Sequence, residues 1–187
     1  ILGLQCGYNG GICVVSNGQI VGQAKTGKNF ERGITKKAIK DALDDAELRL
    51  KDIDLAAVVN WFSHREPDGT ECWDKNEEKF SITKENGIEY SLEDFSNFYR
   101  NNSMVAQGTY TLNIDNQVVK CMMVDHLFAH CAYAYLTSPF TECLSVCIDT
   151  HDGFGANNCI YWMQDEDKAF RIWRRDQTFA AINVYTG

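Results

Sequence analysis

The sequence predicts an α/β fold on a mixed sheet that begins with a three-stranded meander. Three observations carry that expectation. Short apolar runs at 1–6, 12–15 and 20–24 follow one another with only turn residues between them. A stretch of helical apolar spacing then leads into the continuous apolar run 55–59, the pattern of a strand buried in a parallel sheet. Later, an apolar strand at 119–124 runs into an alanine-rich helix and out to another apolar strand at 143–148.

The first strand ends at Gly7, and Tyr8-Asn9-Gly10-Gly11 turns the chain into the second. Asn17-Gly18 closes the next hairpin, because both central residues of a type I′ turn need positive φ and this dipeptide tolerates it. Thr35 is placed to cap a helix whose apolar positions Ala38, Ile39, Ala42, Leu43 and Ala46 share one face. Residues 64–116 are polar and charged, with turns at Pro67-Asp68-Gly69 and Asn86-Gly87. They read as an insertion whose one placed element is a helix at 92–100. His64, at its start, reads as a solvent-facing or structurally bonded histidine.

Order returns at Val118. The helix 125–136 starts at Asp125, an N-cap or first-turn acid, and stops at Ser138-Pro139-Phe140. The strand 143–148, read as buried, reaches Asp149, and a polar glycine turn follows through Gly153 and Gly155. Strands at 158–163 and 170–174, joined by a loop at 165–168, complete the pattern.

Composition narrows the function classes. The chain has 187 residues, of which 44% are hydrophobic and 24% charged, a globular balance that argues against long disorder. A net charge of −8 argues against nucleic-acid binding, which needs a basic footprint, but leaves small anions open through glycine turns. No run reaches about 18 apolar residues, so neither a membrane span nor a membrane partner is expected. The eight cysteines lie mostly inside apolar runs, without Cys-x-x-Cys or zinc-knuckle spacing. They read as buried free thiols, and the reducing cytoplasm follows as the expected compartment. Ile1 opens within an apolar run and 179–187 closes without a polar tail, so the chain reads as a piece of a longer one.

His126 and His130 stand four apart on the expected helix, hence on one face, one turn above the other. Two imidazoles so placed can chelate one divalent ion, although such pairs also arise structurally. Leu127 occupies the place of the glutamate that zinc peptidases require, which excludes that motif. Asp149 ends the next strand, and ligands gather at the carboxyl ends of parallel strands. Two histidines and a carboxylate suit iron, manganese or zinc. The turns holding Gly7, Gly10 and Gly11, and Gly153 and Gly155, join strands rather than strand to helix, so neither is a P-loop. Their backbone amides can still hold phosphate.

The opening Ile1-Leu2-Gly3-Leu4-Gln5-Cys6-Gly7 with Asn17-Gly18-Gln19-Ile20-Val21 resembles the first hairpin of the NodU/CmcH carbamoyltransferase family. Asp125-His126-Leu127-Phe128-Ala129-His130, followed at the family's spacing by Ser138-Pro139-Phe140, resembles its signature helix. Val146-Cys147-Ile148-Asp149 with Gly153 and Gly155 resembles its second phosphate-side segment. The resemblance covers most of 1–60 and 118–165. It implies the first lobe of an actin-like, ribonuclease H-like fold, with 1–187 as the N-terminal part of the carbamoyltransferase domain. A YrdC-like domain elsewhere in such proteins makes carbamoyl-adenylate from carbamoyl phosphate and ATP. The actin-like domain passes the carbamoyl group to an acceptor hydroxyl.

By matching position, His126, His130 and Asp149 are then ligands of iron, Gly7, Gly10, Gly11, Gly153 and Gly155 line ATP or carbamoyl-adenylate, and a small-molecule alcohol is the acceptor. A homodimer is the candidate assembly. By position Tyr8 and Asn9 are the candidate catalytic residues, and the chain departs from the family there, since Tyr8 stands where a histidine is usual. With a phenol pKa near 10, tyrosine is a poor base at neutral pH. Glu31 and Arg32 stand as the remnant of the family's acidic, arginine-rich segment. A non-catalytic descendant that binds metal or nucleotide, and a tRNA threonylcarbamoyl-transfer relative, are the alternatives.

Overall fold

The computed structural model of the chain describes residues 1–6, 10–25, 34–61, 80–91, 93–94, 97–98, 104–106, 108–114, 116–149, 158–165 and 168–175. They form two compact units, Ile1–Val124 and Asp125–Gly187.

The first unit carries a seven-stranded sheet. Its meander is β1 (Leu2–Gln5), β2 (Gly11–Ser16) and β3 (Gln19–Lys25), and helix α1 (Lys36–Asp45) leads to β4 (Ala56–Val59). Three more strands follow: β5 (Phe80–Lys84), β6 (Tyr110–Ile114) and β7 (Gln117–Val124). The order across the sheet is β3-β2-β1-β4-β7-β6-β5. Only β1–β4 and β4–β7 are parallel pairs, so the sheet is mixed, as expected.

Local chemistry accounts for these elements. At the β2–β3 turn Asn17 has φ 49° and Gly18 φ 75°, the two positive angles the Asn-Gly pair was expected to supply. Thr35 is extended, and its hydroxyl accepts the Ala38 N–H at 3.1 Å, which fixes the start of α1. Ala38, Ile39, Ala42 and Leu43 are buried on its inner face, and α1 packs across β2 and β3. The outer face carries the exposed pairs Lys37–Asp41 and Lys40–Asp44, which contribute a few tenths of a kcal/mol at most. Leu2, Leu4, Ile12, Val14, Ala56, Val58 and Met123, all nearly sealed from solvent, form the middle of the core. Each buried aliphatic side chain of this size contributes roughly 1.5–3 kcal/mol.

The stretch 64–116 differs from its reading as an insertion without placed strands. β5 and β6 extend the sheet from β7, with Tyr110, Leu112 and Ile114 facing in and Thr111 and Asn113 half-buried between them. Alternation over so few residues is diluted by the polar sequence around it, which is why composition hid it. Asn116, at φ 66°, makes the β6–β7 turn. Of the expected helix at 92–100, residues 93–94 and 97–98 are described and are helical. His64, Glu31 and Arg32 lie outside the described residues.

The second unit sets α2 (His126–Leu136) against a three-stranded antiparallel sheet of β8 (Glu142–Ile148), β9 (Asn158–Gln164) and β10 (Lys168–Arg175), ordered β10-β9-β8. The strand at 143–148 was expected to be buried in a parallel sheet. Instead β8 pairs antiparallel with β9, and only alternate residues are covered. Ser145 and Cys147 face α2 and are buried, while Leu144, Val146 and Ile148 are each more than half exposed. A period of two turns every second side chain away from α2.

Among the described residues no helix is long and apolar enough to cross a membrane. Seven cysteines are free thiols, as the sequence predicted, and Cys72 lies outside the described residues. Burial pushes the Cys121 thiol up to about 12 and raises Cys6 further, so neither is ionised near neutrality. At pH 8 iodoacetamide should therefore modify half-buried Cys143 before Cys6 and Cys121, which stay untouched until urea unfolds the chain. Rapid native-state labelling of Cys6, read by peptide mass, would contradict this packing.

Candidate metal centre

Helix α2 begins where it does because Asp125 is extended, at φ −62° and ψ 136°, and its Oδ1 accepts the Phe128 N–H at 2.8 Å. That settles its role as N-cap and makes His126 the first helical residue. The helix ends at Thr137 and Ser138, whose hydroxyls donate to the carbonyls of Tyr133 and Tyr135 at 2.7 Å. Pro139 cannot continue it.

Leu127, Cys131 and Tyr135, at four-residue spacing, bury one face of α2. Side chains then tie the helix to β8. Ser145 Oγ donates to the Cys131 carbonyl at 3.1 Å, and Cys131 Sγ donates back to the Ser145 carbonyl at 3.7 Å. The Tyr135 hydroxyl donates to the Thr141 carbonyl at 2.7 Å. Asp149, immediately after β8, is thereby held beside the first turn of the helix. Its approach comes from α2 packing on β8, whose pairing among the described residues is antiparallel, with β9.

The histidine rings lie 4.6 Å apart, centre to centre, and meet nearly edge to face at 77°. Asp149 Oδ2 lies 2.7 Å from His126 Nε2 and 3.4 Å from His130 Nε2. One donor atom from each of the three falls within 4.8 Å of the others. The His126 side chain is 9% exposed, Asp149 23% and His130 54%, so the cluster is closed on one side and open on the other. Pairing with the Asp149 carboxylate raises the His130 pKa above its ordinary value; partial burial opposes this, and the Cys147 and Cys131 thiols add to the rise.

The donor set fits a divalent cation. Donors held about 2.1 Å from one ion lie roughly 3 Å apart when adjacent, so small side-chain rotations suffice. Two neutral imidazoles and one carboxylate leave a divalent ion a net positive charge and free positions on the exposed His130 side.

Of the expected phosphate-side residues, Gly10 is buried and Gly11 opens β2, with nothing within 4 Å of where a Cβ would stand. Gly7, Tyr8, Asn9, Gly153 and Gly155 lie outside the described residues.

The model of the carbamoyltransferase N-terminus family matches residues 1–180, a span that includes all three clustered side chains. The chain belongs to the carbamoyltransferase N-terminal family. No curated protein matches it. The mixed sheet with its opening meander is that of an actin-like, ribonuclease H-like first lobe.

Sequence reasoning missed one partner in this carbamoyltransferase N-terminal chain. Arg174 Nη1, on β10, donates to Asp125 Oδ2 at 2.8 Å, with the two side chains 5% and 1% exposed. No local pattern links residues 49 apart, so the pair is visible only once β10 has folded back toward α2.

Proposed function

We propose that the protein transfers a carbamoyl group from carbamoyl-adenylate, formed from carbamoyl phosphate and ATP, to a hydroxyl of a small-molecule acceptor. Its iron would be held by His126, His130 and Asp149. The convergence of these three side chains within 4.8 Å, in a chain of this family, is the observation that carries the reading.

In the transfer the acceptor oxygen forms a bond to the carbamoyl carbon, the carbon–oxygen bond to adenylate breaks, and AMP leaves. The hydroxyl proton passes to a base. A divalent cation supplies charge neutralisation for phosphate or carbamoyl oxygen as that bond breaks. The chain's own residues set the geometry: buried His126 gives a fixed direction, Asp149 the negative charge, and half-exposed His130 the side open to substrate. Gly10 and Gly11 would lie on the nucleotide side, and the open space at Gly11 leaves room for close approach.

Metal analysis of protein purified without oxygen, beside the His126→Ala/His130→Ala variant, is the test. We expect about one iron per chain, lost in the variant while the circular dichroism is kept. Transfer of label from carbamoyl phosphate to hydroxyl compounds, with ATP present, should follow the iron in a protein that also carries the YrdC-like domain, while 1–187 alone should be inactive. Folded wild type without any transition metal would sink the reading.

Tyr8, in the place of the family's histidine, favours a second reading: a descendant that binds metal or nucleotide without transfer. Stoichiometric iron with no carbamoyl transfer to any hydroxyl, the YrdC-like domain being present, would select it. The net charge of −8 stands against a tRNA-modifying role.

A further inference from the structure

We propose that Arg174 is a positioning residue for the metal site, acting through Asp125 to fix the direction in which His126 presents its imidazole. The inference rests on the reading of His126, His130 and Asp149 as ligands.

Asp125 uses its two carboxylate oxygens for two tasks. Oδ1 caps α2 at the Phe128 N–H, and Oδ2 receives the Arg174 guanidinium. A carboxylate with its side chain 1% exposed needs a charged partner, since a lone buried charge is strongly unfavourable. Arg174 supplies that charge from β10, donating Nη1–H to Oδ2 while the Phe128 N–H holds Oδ1, so the two donors together fix the carboxylate. Phe128, whose backbone is the capped donor, lays its ring against Tyr161 at 5.3 Å. Tyr161 is itself fully buried on β9, beside Asp125, Arg171 and Arg174. The first turn of α2 is therefore held at the cap, at the Phe128 ring and by the ion pair.

His126 directly follows the latched residue. Its Nε2 meets Asp149 at 2.7 Å, while His130, a turn further along, stands at 3.4 Å and is half exposed. The buried ligand is the one next to the latch. A rotation of the first turn by a few degrees would move the His126 ring tip far more than its backbone, because the lever is a whole side chain. Residues that hold a histidine ligand in place typically change metal affinity by about 10–100-fold when removed.

Cobalt(II) is the probe, since its ligand-field bands report coordination geometry as well as occupancy. Arg174→Met strands the buried Asp125 charge and is expected to be strongly destabilised, so the deciding variant is Asp125→Asn/Arg174→Met. It removes both charges together, which buried pairs often tolerate, and asparagine keeps the cap. We expect this variant to fold and melt cooperatively, to bind cobalt about 10–100-fold more weakly, and to show an altered visible spectrum. Arg174→Lys, which keeps the charge on a more flexible side chain, should recover part of the affinity. In metal-free protein, the downfield ring-proton resonance of the His126–Asp149 contact should be present in wild type and lost in the double variant.

A folded double variant with wild-type affinity, spectrum and ring-proton resonance would overturn the proposal. Failure of wild type to bind cobalt through His126 and His130 would sink the metal reading instead. The metal-free resonance then decides the Arg174 latch alone.

Discussion

Gly22→Ala is expected to destabilise the first unit by about 3 kcal/mol, and Gly22→Val to prevent its folding. Gly22 lies at the middle of β3, buried beneath α1. A Cβ built there would strike the backbone carbonyl of Ala42 and stand 2.9 Å from Ala46 Cβ and 3.0 Å from Ala46 N. These are mostly backbone atoms, which cannot rotate aside, so the whole helix would have to lift. Lifting it uncovers Ile39, Ala42 and Leu43, each under a tenth exposed. Gly3 makes an instructive contrast, because the atom a Cβ would meet there is the Cys13 sulfur, a side-chain atom that can turn away. Gly11→Ala, with open space around it, should change stability by no more than about 1 kcal/mol. Urea midpoints for the three alanine variants give the comparison. An unchanged midpoint for Gly22→Ala would mean that α1 does not sit on β3 at this distance.

Nothing in the sequence marked Gly22. The run Ile20-Val21-Gly22-Gln23-Ala24 reads as a strand through its apolar members, yet Ile20 is 60% exposed and the glycine faces inward. The rule that apolar residues point to the core failed because the inner position is fixed by how closely the α1 backbone approaches. Elements with local chemistry at their ends were legible: Thr35 for α1, Asn17-Gly18 for the first hairpin, Asp125 for α2. In each, a side chain or a φ angle within a few residues decides the structure. β5 and β6 were not, since they are paid for by pairing with β7 and not by their own composition. The candidate site divides along the same line. His126 and His130 could be paired from helical spacing alone, and Asp149 from its place after a strand. The parallel edge expected at Asp149 has no counterpart among the described residues, where β8 has no parallel neighbour, and Arg174 was invisible because its partner is 49 residues away.

Asp149→Asn should lower the affinity of the site for its cation on the order of 100-fold and change two pH dependences at once. Asp149 is the one anionic donor in the cluster, and a single oxygen of it faces both imidazoles. In metal-free protein, its pairing with His130 holds that histidine's pKa above 6.5. The sign follows from linkage. A folded-state pKa above the unfolded one stabilises the fold fully below the unfolded value, and this is lost as pH rises through the folded value. Metal-free wild type should therefore lose stability on going from about pH 5.5 to about pH 8.5, other groups being matched in the variant. Cation binding has the opposite slope, because imidazole binds a metal only when neutral and must first release its proton. With asparagine at 149 the imidazolium loses its partner: the stability slope should flatten, and the residual binding should reach its plateau at lower pH. Urea midpoints of the metal-free proteins and cobalt titrations over that range measure the two slopes separately. Identical slopes in wild type and variant would show that Asp149 does not face His130 in solution, and the three-donor cluster would lose its only negative charge.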